Sequence, residues 1–156
     1  MKFAQYQLLR AHALAACEAA GAEYPATKQI HPIVLAYIGD VVFSTYVRLR
    51  VLPHSNHVQV LHELGAKMVS AVYQCKAMQE LEPTLDEEER QAFHRGRNAK
   101  SNVPKSASVQ EYRIATGFEA LVGYMFLEAK EERLEEFLES SFQIIRTALA
   151  ASQADK

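Results

Sequence analysis

The chain of 156 residues predicts an all-α fold, and three observations carry that reading. Glycine and proline are sparse, six and five residues, while Ala, Leu, Glu, Gln and Arg fill long stretches and favour helix. Apolar residues recur at the i, i+3, i+4, i+7 spacing of an amphipathic helix. No strand-like alternation of any length interrupts that pattern.

A first helix is expected over residues 4–20, with Leu9, Ala13, Ala16 and Ala20 at helical spacing and Gly21 at its end. The second begins after His31-Pro32, where proline suits the first turn, and runs to about Leu52, ahead of Pro53. Ser55 or Asn56 caps a third that carries Val60, Leu64, Met68, Val69, Val72 and Tyr73 and ends near Glu80. Pro83 and Thr84 open a fourth, Leu85 to about Arg95, which stops at Gly96. Residues 96–107 mix glycine, proline, serine and asparagine and read as a loop. Ser108, with Glu111 at the capping-box position, starts a fifth helix that continues to about Ala129. A sixth covers Arg133 to Ala150, after which Ser152 to Lys156 is expected to fray.

The length suits one domain over residues 1–156, with a core at about 30–140. A hydrophobic share of 49% with 23% charged residues excludes a mostly disordered chain. Cys17 and Cys75 lack the partners of a metal motif or a disulfide framework and read as buried thiols. The first residues lack the apolar core of a signal peptide, and no apolar run is expected to span a bilayer. A cytoplasmic protein with no membrane partner is the expectation.

Net charge is only −2, so diffuse electrostatic binding is not implied. The distribution says more. Between Arg90 and Arg113 stand Arg90, Arg95, Arg97, Lys100, Lys105 and Arg113 against the single acid Glu111, a local charge of +5. Acidic stretches flank this segment on both sides. A basic patch on an acidic protein suits a positioned phosphate contact. Arg95, Arg97, Asn98, Lys100 and Lys105 are the candidates, with a solvated loop as the alternative. Lys67, Ser70 and Gln74 share a helical face at i, i+3, i+7, and that face suits either a ligand or a partner helix.

Two acids stand alone in apolar helical runs: Asp40 in Tyr37-Ile38-Gly39-Asp40-Val41-Val42, and Glu119 in Gly117-Phe118-Glu119-Ala120-Leu121-Val122-Gly123. Removing an ionised carboxylate from water costs several kcal/mol unless a cation or donors compensate. Two buried acids, each near glycine, therefore make Asp40 and Glu119 candidate ligands of a divalent metal and candidate catalytic groups. A salt bridge or cap is the bland alternative for either one alone. Gly39 and Gly123 suit a close approach of backbones or of a ligand. The six histidines are scattered and suggest surface or core roles rather than metal ligation.

Tyr37-Ile38-Gly39-Asp40-Val41-Val42 and Gly117-Phe118-Glu119-Ala120-Leu121-Val122-Gly123-Tyr124-Met125-Phe126-Leu127 resemble the two signature helices of the ribonuclease III catalytic domain. The likeness is closer to the Mini-ribonuclease III family, the short form without a double-stranded RNA-binding domain. Lys67 with Val69-Ser70-Ala71 and Gln74, Arg95-Gly96-Arg97-Asn98-Ala99-Lys100 and Tyr112-Arg113 extend it, in order, over roughly residues 30 to 140.

The resemblance implies a helical endonuclease-domain bundle that acts as a homodimer. It further implies a Mg²⁺-dependent endoribonuclease, with Mn²⁺ able to substitute, that cleaves double-stranded RNA and leaves 5′-phosphate and 3′-hydroxyl ends. The RNA implied is precursor ribosomal RNA, the 23S precursor. The acidic stretch from Glu128 to Glu139 reads as solvated surface, with a basic ribosomal protein as a candidate partner for it. Asp40 and Glu119 align with two metal-binding carboxylates. The larger enzymes carry two more acids, at the positions held here by Ala36 and Thr116. Those absences support a rival reading, a catalytically silent RNA-binding or ribosome-associated scaffold on the same fold. A helical phosphohydrolase acting on small molecules is a second rival, but it needs paired His-Asp ligands that the sequence lacks.

Overall fold

Helix α6 (Val109–Leu127) is apolar nearly all round, and such a helix must be enclosed by others. From Ala115 to Met125 every residue except Glu119 is buried. The computed structural model describes residues 4–100, 102 and 107–154. Around α6 stand α1 (Ala4–Ala19), α2 (Pro32–Val51), α3 (Val58–Met68), α4 (Ala71–Leu81), α5 (Glu87–Asn98) and α7 (Glu131–Ala154). The described residues contain no strand, so the all-α expectation holds. Helix α6 packs most extensively on α2, then on α5 and α4, while α7 closes the side of α4.

Aromatic stacking joins the layers. Phe118 of α6 meets Phe43 of α2 edge-on at 4.9 Å between centroids and Phe137 of α7 at 5.4 Å. Leu35, Val42, Val47, Met78, Leu121, Leu138 and Ile145 complete the core.

Most helix ends follow the sequence. His31 caps α2 by accepting from the Ile33 amide at 3.2 Å, with Pro32 in the first turn. Ser108 and Glu111 form the expected capping box at α6. Gly21 (φ 81°) follows α1 in the left-handed region.

Several expectations are corrected. The single helix over 55–80 is two, broken at Val69-Ser70, and His57 rather than Ser55 or Asn56 stands at the start of α3. The break lets α3 lie along α2 while α4 turns to α6 and α7, which no straight helix reaches together. Lys67 and Gln74 therefore do not share one helical face. Helix α5 begins later than expected, from a capping box of Asp86 and Glu89, and passes through Gly96 to Asn98. Gly96 is a packing residue, buried against α6, so Arg97 and Asn98 belong to a helix end rather than a loop.

Finally, Pro32–His54 is long and apolar enough to cross a membrane by length and composition, contrary to the sequence reading. Part of that apolarity is core: Leu35, Val42, Phe43, Val47 and Val51 are buried, while Val34, Tyr37, Val41, Leu49 and Leu52 are exposed. Cys75 is buried as expected; Cys17 is only half-buried.

Candidate active site

The site is built where α2 and α6 cross with their backbones in contact. A Cβ on Gly39 would stand 1.7 Å from the Glu119 carbonyl oxygen, and one on Gly123 2.0 Å from that of Leu35. Neither space admits a methyl group, so both positions require glycine for close approach. Asp40 follows Gly39 directly, and Glu119 supplies the carbonyl against which Gly39 rests. The crossing thereby sets one acid from each helix beside the other.

Electrostatics records that proximity. Burial above all, and then the charge of Asp40, push the Glu119 carboxyl from 4.5 up to about 7, while a hydrogen bond from Gln74 opposes the rise. Gln74 Nε2 donates to Glu119 Oε1 at 3.1 Å. On α2 the Ser44 hydroxyl donates to Asp40 Oδ1 at 3.2 Å.

The expected pair of buried acids is corrected by half. Glu119 is half-buried, and Asp40 is exposed. The apolar run around Asp40 has two faces. Leu35, Gly39, Val42 and Phe43 point into the core, whereas Val34, Tyr37 and Val41 lie outside at 52%, 71% and 56% exposure. Asp40 sits beside this outer stripe, so the desolvation argument applies to Glu119 alone.

Ala36 and Thr116 bring no further acid. Ala36 is buried, and the Thr116 hydroxyl is turned back to the Tyr112 carbonyl at 2.9 Å. Among the described residues no group of three or more His, Cys, Asp and Glu side chains could hold a metal. The oxygen donors are thus the two carboxylates, with the Gln74 amide against one of them. Such a set fits a hard divalent cation that keeps several waters, because Mg²⁺ binds through one or two carboxylates plus substrate phosphate.

The candidate RNA contacts divide. Gln74 is 1% exposed and meets Glu119 rather than solvent. Lys67, Asn98 and Lys100 are exposed. The Arg97 guanidinium stands 5.7 Å from the Phe93 ring centroid, and its Nε donates to Asn98 Oδ1 at 3.4 Å. Arg95 Nη2 donates to the Ile30 carbonyl at 2.8 Å and so fastens the segment before α2. Lys105 lies outside the described residues.

Sequence reasoning missed two partners of the acids, Ser44 and Gln74 in its true role. A signal existed for Gln74: Ala77, Met78 and Leu81 follow it at i+3, i+4 and i+7, all buried, which marks its position as interior.

The ribonuclease III domain matches residues 33–130, a span that holds both acids, Gln74 and the basic segment. The chain belongs to the Mini-ribonuclease 3 branch of the ribonuclease III domain family. The Mini-ribonuclease 3 of Thermoanaerobacter sp. (strain X514) is 46% identical over 118 residues, which are 74% of this chain and 83% of the relative. That of Symbiobacterium thermophilum is 42% identical over 73% of this chain and 89% of its own. A crystal structure of a Fusobacterium nucleatum protein superposes with a TM-score of 0.70 at 28% identity, covering 74% of this chain and 96% of the other. The ribonuclease III domain match leaves α1 and α7 outside it.

Proposed function

We propose that the protein is a Mg²⁺-dependent endoribonuclease that cuts double-stranded RNA, with Mn²⁺ able to replace Mg²⁺. The observation that carries this reading is the Asp40–Glu119 pair across the Gly39–Gly123 contact. Two carboxylates forced together, one of them pushed up to about 7, are unfavourable until a cation lies between them. A bound divalent ion would neutralise phosphate charge and acidify a water for in-line attack on phosphorus.

The chain's own residues do the rest. Asp40 and Glu119 hold the cation, and Ser44 restrains the exposed Asp40 carboxylate. Asn98 and Lys100 at the end of α5, with Arg97 beside them and Lys67 on α3, take the phosphate backbone. These are sequence-blind contacts that set register rather than read bases. Gly96 rests on Gly117, two residues before Glu119, so the α5 end is tied to the stretch of α6 that carries the acid.

The natural duplex is precursor ribosomal RNA, the 23S precursor, in the cytoplasm. The working unit is a homodimer. The outer stripe of Val34, Tyr37 and Val41 flanks Asp40 and gives an apolar surface for a second copy to cover. A two-fold pair presents two sites in opposite orientation, one for each strand of a duplex.

The test is incubation with long double-stranded RNA, with and without Mg²⁺, beside Asp40→Asn and Glu119→Gln. The wild type cuts both strands only with the metal, each variant loses cleavage, and the wild type sediments near twice 17.5 kDa. Wild-type cleavage by either variant removes that acid from the site. Metal-independent binding without cleavage favours the silent scaffold.

A further inference from the structure

Gln74 occupies a position that packing alone does not explain. Its side chain is 1% exposed in the interior of α4, among apolar neighbours. One half of its amide is used, since Nε2 donates to Glu119 Oε1 at 3.1 Å. The other half is not: Oε1 is buried and, among the described residues, has no hydrogen-bond partner. A buried acceptor left without a donor is a cost to the fold, because it gave up water and received nothing in exchange. A leucine or methionine of similar size would fill the same space without that cost. The amide is therefore kept for what it does to Glu119, or for what reaches its free oxygen.

Two further observations narrow the choice. The Ala36 methyl group and the inward-bonded Thr116 hydroxyl offer nothing to the carboxylates, so Gln74 is the polar side chain recorded against Glu119 among the described residues. Glu119 is also the sole residue between Ala115 and Met125 that is not fully buried. Its carboxylate takes the Gln74 hydrogen bond from a buried donor, while Asp40, across the Gly39 contact, is exposed. An N–H donor on one oxygen restrains the rotation of the carboxylate and leaves the other oxygen without that tie.

We propose that Gln74 is the positioning residue of the cation site: its amide N–H fixes one Glu119 carboxylate oxygen and so orients that carboxylate for a cation shared with Asp40. The inference rests on the proposed metal-dependent reading of the Asp40–Glu119 pair. Gln74 makes no contact with RNA, although it lies in the helix that follows Lys67.

This role predicts a combination that a structural glutamine would not give. Gln74→Leu removes the donor and the orphaned acceptor together, two losses that oppose each other in the metal-free protein. Its melting temperature in EDTA is expected within about two degrees of wild type, or above it. Its affinity for Mn²⁺, read by electron paramagnetic resonance on the full chain, is expected to fall roughly tenfold or more, as when a ligand loses the group that orients it. Affinity for double-stranded RNA in EDTA stays at the wild-type value. A second variant, Gln74→Glu, places a third anion at the same point. It melts lower than wild type in EDTA, and Mn²⁺ raises its melting temperature by more than it raises that of wild type.

Four results overturn the inference: wild-type Mn²⁺ affinity in Gln74→Leu; a marked loss of stability of that variant in EDTA, which makes the amide a fold residue; a loss of RNA affinity in EDTA; or an equal Mn²⁺ shift in Gln74→Glu and wild type. Wild-type protein that binds no Mn²⁺ refutes the metal reading as well. Wild-type protein that binds Mn²⁺ and cuts RNA, beside an unaffected Gln74→Leu, refutes the positioning role alone.

Discussion

Helix α6 is crossed at close range twice, by α2 at Gly39 and Gly123 and by α5 at Gly96 and Gly117. The two crossings differ in what they touch. At the first, an added Cβ meets main-chain oxygen, at 1.7 Å for Gly39 and 2.0 Å for Gly123. At the second, side chains come first, the Ala120 Cβ at 2.5 Å from a Cβ on Gly96 and the Phe93 ring at 2.7 Å from one on Gly117. Main chain lies farther off, the Phe93 carbonyl oxygen at 2.8 Å for Gly117 and the Gly117 Cα at 2.9 Å for Gly96. They also differ in what they carry, carboxylates beside the first and the cationic end of α5 beside the second. One helix thus sets the anions and the cations of a proposed phosphate-handling surface in a fixed relation. The tighter crossing is the one that holds the acids.

The largest effect expected from this difference is on the fold itself. Gly39→Ala has no side chain to push aside and should lose about 4 kcal/mol or more in urea unfolding. Gly96→Ala, whose nearest neighbour is the methyl group of Ala120, should lose about 1–3 kcal/mol. Equal losses would erase the distinction between a backbone lock and ordinary tight packing.

The next effect is electrostatic and belongs to the first crossing only. Because the folded Glu119 carboxyl is raised, the native state holds its proton more firmly than the unfolded chain does. Stability from this group is then full below the ordinary carboxylate value of 4.5 and is lost as pH rises to about 7. In metal-free protein Glu119→Gln removes that loss, so its advantage over wild type should grow to ~3 kcal/mol by pH 8. Parallel stability curves for the two proteins between pH 4 and 8 would show that Asp40 and burial do not act on Glu119 as described. Added Mg²⁺ should reverse the advantage, because only the carboxylate form binds it.

The smallest effect concerns the α5 end. Lys100→Ala should reduce the salt slope of RNA binding by about 0.9 in log–log terms, the release of one counterion. Arg95→Ala should change it less, since that guanidinium is engaged by the Ile30 carbonyl. A larger change for Arg95 would place it outward on the RNA.

Much of this was readable from the chain. The helical periodicity and the His31-Pro32 and Ser108–Glu111 caps rest on local rules, and each found its counterpart in the fold; the two isolated acids were legible as well, though not that Asp40 is exposed. What escaped was set by neighbours distant in sequence. Gly96 looks like a helix terminator until Ala120 and Gly117 are seen against it. Val69-Ser70 carries no strong stop signal, and α4 turns away there because α6 and α7 draw it. The run around Asp40 reads as uniformly interior, yet Tyr37 and Val41 face outward. Local apolarity does not tell a core face from an exposed one. Gln74 was visible as a polar residue, but its contact with Glu119 spans 45 positions of sequence.

The Gly39–Gly123 contact also bears on how such a chain can change over generations. Two residues that touch through side chains can trade size, one shrinking as the other grows, and so drift together. Here the obstacle to a methyl group at Gly39 is the main chain of Glu119, and the obstacle at Gly123 is the main chain of Leu35. No substitution at either partner position moves those atoms out of the way. The two glycines are barred from compensating for one another, and a lineage has no stepwise path by which to replace either while the helices keep their crossing.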